Sequence, residues 1–92
     1  MTKKRVQAIV TGRVHGVGYR YFATHVAERL GVVGTIRNIT DGQVEAIAEG
    51  DEETLAHFLA ELRKGPIKAD VIGLHESWAE PVGEFSHFEA VA

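Results

Sequence analysis

The chain has 92 residues, enough for one hydrophobic core and too few for two. Apolar residues make up 45% of it, and its formal charge is −3 from 10 basic and 13 acidic side chains, without the clear basic excess of a nucleic-acid binder. There is no cysteine, which excludes disulfides, thiol nucleophiles and cysteine-ligated metals, and the apolar runs are far too short for a transmembrane helix. The basic start Met1-Thr2-Lys3-Lys4-Arg5 leads into Val6–Val10, a run too short for a signal peptide and broken by Gln7. A single cytoplasmic domain over residues 1–92 is expected.

In Val6–Val10, alternation of Val6, Ala8 and Val10 with Gln7 predicts a half-buried strand, weakened by Ile9 on the second face. Gly12 to Gly18 carries three glycines and reads as a loop. Phe22, Val26 and Leu30, with Ala23 and Ala27 beside them, form the apolar stripe of a helix from Tyr19 or Arg20 to Leu30, stopped by Gly31. Val32–Asn38 is a second strand. Asp41-Gly42 turns the chain tightly, and Val44, Ala46 and Ala48 alternate along a third, antiparallel strand. Asp51 is placed to cap a second helix with Leu55, Phe58, Leu59 and Leu62 on one face, ended by Arg63-Lys64-Gly65-Pro66. A fourth strand from Asp70 to Trp78 and a short one from Phe85 to Val91 complete the chain. Trp78, Phe22, Phe58, Phe85 and Phe88 are expected in or at the edge of the core. This order describes an α+β, ferredoxin-like split βαβ sandwich, an antiparallel sheet with two helices on one face.

The chemistry concentrates in Gly12-Arg13-Val14-His15-Gly16-Val17-Gly18-Tyr19-Arg20. Glycines let successive N–H groups point inward as an anion-binding nest, and the helix that follows adds its unpaired N–H groups and dipole. No acidic residue occurs between Gly12 and Val26 to occupy that positive end. Arg20 adds a planar fork suited to phosphate. No Gly-Lys-Ser/Thr follows, and Tyr21 stands where a dinucleotide fingerprint needs its third glycine. A flexible strand-to-helix turn with an exposed arginine accounts equally well for these residues taken alone. Asn38, at the end of the second strand, can face the same anion and hold a water, or simply cap its own turn. The histidines His15, His25, His57, His75 and His87 show no metal-binding spacing. Arg13 and Arg37 read as surface charges. Glu45 and Glu49 on the third strand would repel phosphates there and argue against an RNA-binding sheet.

The two segments together resemble the acylphosphatase family. Its first signature, roughly Gly-x-Val-Gln-Gly-Val-x-Phe-Arg, stands here as Gly12 to Arg20, with His15 for Gln and Tyr19 for Phe. Its second runs from Gly34 through Asn38, Gly42 and Val44 to Gly50, with Thr35 for an aromatic. The likeness covers the whole chain in element order and length. It implies a cofactor-free, metal-free monomer that hydrolyses acyl phosphates and binds the product, inorganic phosphate, with no nucleic-acid or membrane partner. It assigns phosphoryl binding to Arg20 and the loop His15, Gly16, Val17, Gly18 and Tyr19, and orientation of the attacking water to Asn38. Two other readings remain open: a non-catalytic phosphate- or carboxylate-sensing module, and a detached copy of the similar domain in hydrogenase-maturation carbamoyltransferases. The second of these is disfavoured because no further domain follows Ala92.

Overall fold

The computed structural model describes residues 2–92; Met1 lies outside the described residues. Seven elements follow in order: β1 (Lys3–Arg13), α1 (Tyr19–Leu30), β2 (Val33–Asn38), β3 (Gln43–Asp51), α2 (Glu52–Lys64), β4 (Asp70–Ala79) and β5 (Phe88–Ala90). The strands make one sheet in the order β4-β1-β3-β2-β5. The first four pair antiparallel, as the ferredoxin-like arrangement requires. β5 runs parallel to β2, with Gly34 beside Phe88 and Ile36 beside Ala90, so the whole sheet is mixed rather than purely antiparallel.

The alternating apolar residues define the core. Val6, Ala8 and Val10 of β1 lie opposite Ala48, Ala46 and Val44 of β3, all at most 1% exposed. Both helices cover this face. Leu55, Phe58, Leu59 and Leu62 of α2 are buried as their spacing predicts, and each such side chain contributes roughly 1.5–3 kcal/mol. The face of α1 is rotated from the expected stripe. Tyr19, Ala23, Val26 and Ala27 are buried, while Phe22 and Leu30 are only partly covered and flank the core. Alanines at the centre bring the helix close to the sheet, which leaves the bulkier side chains at the margins.

The remaining departures have local causes. Asp51 precedes α2 without capping it; its carboxylate lies 3.7 Å from Lys3 Nζ, and the Thr2 carbonyl accepts the Glu52 N–H. Trp78 is 40% exposed because β4 is an edge strand, and its indole N–H donates to Glu76 Oε1 at 3.0 Å. The last strand is shorter than expected because Phe85 instead covers the Arg5 guanidinium, 5.4 Å from the ring centre. No helix among the described residues is long and apolar enough to cross a membrane.

The second sheet face carries two covered carboxylates. Glu45 accepts from Arg37 Nε at 2.8 Å and Gln7 Nε2 at 2.7 Å. Glu49 accepts from Arg5 at 2.7 Å and from the backbone N–H groups of Val82 and Gly83 at 2.8 and 3.0 Å. It thereby fastens the segment between β4 and β5. Burial alone would push the Glu49 carboxyl up, but the Val82 amide, Arg5 and the Gly83 amide together hold it below its ordinary value. A lowered native value means that this contribution is complete at neutral pH and lost as the solution is acidified through that value. Glu49→Ala should cost about 1–2 kcal/mol at pH 7, by loss of charge-assisted hydrogen bonds, and the gap to the parent should narrow in acid. Urea unfolding of both proteins at several pH values measures it; a constant gap would show that the carboxylate's charge plays no part.

Candidate active site

The register sets where the candidate residues stand. Asn38 of β2 lies opposite Val44 of β3, and Val44 lies opposite Val10 of β1. The exit of β1, the end of β2 and the start of β3 therefore share one end of the sheet. The Gly12 N–H donates to the Gly42 carbonyl at 2.9 Å, tying the strand exit to the β2–β3 turn. The loop from Val14 to Gly18 leaves from that junction and enters α1.

Its backbone follows from its glycines. Gly16 and Gly18 have φ of 70° and 77°, in the left-handed region that other residues enter only at a cost. Gly18 caps α1 without any side-chain hydrogen bond, and the first turn contains no acidic residue. The Phe22 N–H is bonded to the Gly18 carbonyl, so the N–H groups of Tyr19, Arg20 and Tyr21 lie ahead of the helical ladder. Val14 beneath the loop is buried at 2% exposure and anchors it to the core.

Tyr19 plays two parts. Its backbone belongs to the loop, whereas its ring is a core residue. The hydroxyl donates to the Leu62 carbonyl of α2 at 2.6 Å, and burial pushes that hydroxyl well above its ordinary value. The start of α1 is thus fixed against the end of α2. Arg20 is half-buried, and its guanidinium points to the Val91 carbonyl at 3.5 Å. The Val91 N–H in turn donates to the Ile36 carbonyl, two residues before Asn38. Arg20 and Asn38 are therefore brought to the same corner of the sheet.

Asn38 is exposed, and the turn after it closes without its side chain. Ile39 N–H donates to the Gln43 carbonyl at 3.2 Å, Gln43 N–H to the Thr40 carbonyl at 3.0 Å, and Thr40 Oγ1 to Gln43 Oε1 at 2.9 Å. His15 is half-buried, with Nε2 2.7 Å from the Gln43 carbonyl. Gln43 and Val91 were not singled out from the sequence: both act here through backbone carbonyls, which carry no residue-specific mark. Arg37 is paired with Glu45. Among the described residues no group of three histidine or acidic side chains could hold a metal ion.

The acylphosphatase family model matches residues 6–90. The chain belongs to the acylphosphatase family. Acylphosphatase of Methylococcus capsulatus is 47% identical over 85 residues, which is 92% of each chain. That of Thermus thermophilus is 47% identical over 79 residues, covering 86% of this chain and 90% of the relative. The crystal structure of acylphosphatase from Bacillus subtilis superposes with a TM-score of 0.93 at 31% identity, over 97% of this chain and 99% of that one. The fold of that acylphosphatase is thus matched over nearly the full length of both chains.

Gly18 permits a clean test of the loop. An added Cβ there would meet nothing within 4 Å, so Gly18→Ala changes backbone preference without a clash. The variant should lose roughly 1–2 kcal/mol of stability, the cost of a left-handed alanine. Thermal melts of both proteins measure it; a variant equal to the parent would show that the loop does not need this conformation.

Proposed function

We propose that this protein hydrolyses acyl phosphates to a carboxylate and inorganic phosphate, with Arg20 and the loop from His15 to Tyr19 binding the phosphoryl group and Asn38 orienting the water. Family membership supports the reaction. The observation that carries the assignment of residues is the shared register, which sets Asn38 and the loop at one end of the sheet while leaving the turn's hydrogen bonds independent of the Asn38 side chain.

The chemistry asks little of the protein beyond position and charge. Water attacks phosphorus, the bond from phosphorus to the carboxylate oxygen breaks, and the carboxylate leaves with the bonding pair. The water's proton passes to phosphate or solvent. A carboxylate is a good leaving group, so no side chain need act as a general base. Negative charge on the phosphoryl oxygens is met by the Arg20 fork and by N–H groups at the start of α1. Asn38 holds water on the face opposite the leaving group, exchanging a collision from solvent for a positioned one.

Turnover of benzoyl phosphate is the direct test, and inorganic phosphate should inhibit competitively. Activity should survive exhaustive treatment with a chelator, because charge stabilisation is assigned to arginine and amides. Loss reversed by one particular divalent ion would sink the mechanism. A folded protein that binds phosphate and turns over no acyl phosphate would instead make it a sensing module.

Arg20 and Asn38 should fail differently. Arg20→Ala should lose both phosphate binding and turnover, and Arg20→Lys should recover little, since an ammonium cannot reproduce a bidentate fork. Asn38→Ala should bind phosphate much as the parent does while kcat falls by ~10²–10³, as for loss of one positioned polar group. Near-parental kcat in a folded Asn38→Ala protein would remove the water's anchor from this account.

A further inference from the structure

His15 uses its backbone and its side chain in different directions. Its backbone opens the glycine loop, while its imidazole turns toward the β2–β3 turn and meets the Gln43 carbonyl at 2.7 Å. That carbonyl also accepts the N–H of Ile39, the residue directly after Asn38. Two donors thus converge on one oxygen, one from the loop and one from the segment that carries Asn38. The Gln43 side chain adds further ties, accepting from Thr40 Oγ1 at 2.9 Å and donating to Thr11 Oγ1 at 3.4 Å. Together with the Gly12 to Gly42 bond, these contacts join β1, the loop and the turn.

We propose that His15 is a positioning residue that sets the distance between the phosphate loop and Asn38 through its hydrogen bond to the Gln43 carbonyl. The inference rests on the assignment of phosphoryl binding to the loop and water to Asn38. In-line attack depends on the separation of those two parts, and a misplacement of 1 Å can cost ~10² in rate. Neither part can set that separation alone, because they lie on different segments, one after β1 and one at the last residue of β2. A carbonyl oxygen can only accept, so His15 Nε2 carries the proton. On a neutral ring this selects the Nε2–H tautomer, and a charged ring keeps the same donor. Glutamine places an N–H at a similar distance from its Cα and can make the same bond.

Kinetics and the ring's tautomer test this separately. His15→Ala should remain folded, lose about 10-fold or more in kcat for benzoyl phosphate, and keep its inhibition constant for inorganic phosphate within ~3-fold, the pattern of lost positioning rather than lost binding. His15→Gln should recover most of the loss. An alanine variant with parental kcat would overturn the proposal, as would parallel loss of phosphate affinity and kcat without rescue by glutamine, which would make His15 a ligand. Nitrogen NMR of the parent's imidazole, at a pH where the ring is neutral, should show Nε2–H. An Nδ1–H ring overturns the positioning role whatever the kinetics, and it decides the matter even if His15→Ala does not fold. A parent protein inert toward benzoyl phosphate would overturn the reading of function instead, whatever the tautomer.

Discussion

Residues 3 to 11 of β1 lie against residues 51 to 43 of β3, and the arrangement of the candidate site follows from that register. It aligns Val6, Ala8 and Val10 with Ala48, Ala46 and Val44 on the face under the helices. A slip by one residue would turn the apolar set of one of the two strands outward and bring either Gln7 or Glu45 and Glu49 into the core, so burial enforces the pairing strongly. The same register fixes where β1 ends relative to the turn before β3. Gly12 thereby meets Gly42, and His15 meets Gln43. Hydrophobic burial at the middle of the sheet is thus converted into polar geometry at its end.

The helices complete that geometry. α1 must begin where the loop ends, and its first residue is held from the side by the Tyr19 hydroxyl on the Leu62 carbonyl. A phenylalanine at this position, the family's usual residue, would fill the same space without that bond. The tyrosine gives this chain one more tie between the end of α2 and the loop. It also satisfies a carbonyl near the end of α2 that the helix's own N–H groups reach poorly. The end of α2 therefore contributes to the placement of the start of α1, where Arg20 stands.

Local signals in the sequence were legible where their causes are local. Gly31 stops α1 with φ of 75°, Asp41-Gly42 turns the hairpin, and the apolar face of α2 is the one its spacing describes. Arg20 and Asn38 could be singled out because their segments together resemble a known family. What could not be read were contacts between distant parts that use backbone carbonyls. Arg20 meets Val91, and His15 meets Gln43, but a carbonyl is common to every residue and leaves no trace in composition or spacing. The carboxylates misled for a related reason. Alternation correctly set Glu45 and Glu49 on the face away from the helices, yet both are covered by partners, Arg37 and Gln7 for one, Arg5 and the chain at Val82 and Gly83 for the other. Their charges are neutralised within the sheet face and do not form the repulsive field their spacing suggests.

That neutralisation bears on the proposal that a chain of net charge −3 holds an anion. Coulomb attraction acts over short distances in salt, so the local arrangement outweighs the total. The acidic residues of β3 are paired with cations on their own face, and α2 carries Glu52 and Glu53 in its own first turn. α1 has no such carboxylate, and Gly18 caps it without a side-chain acceptor. The two helices therefore use the same physics in opposite ways. At α2 the positive end is satisfied from within the chain, which stabilises the helix. At α1 that stabilisation is left unused, and the N–H groups of the first turn remain available to the phosphoryl group proposed to bind beside Arg20. The proposed binding of a phosphoryl group at α1 thus depends on a helix end whose stabilisation the chain itself leaves unused.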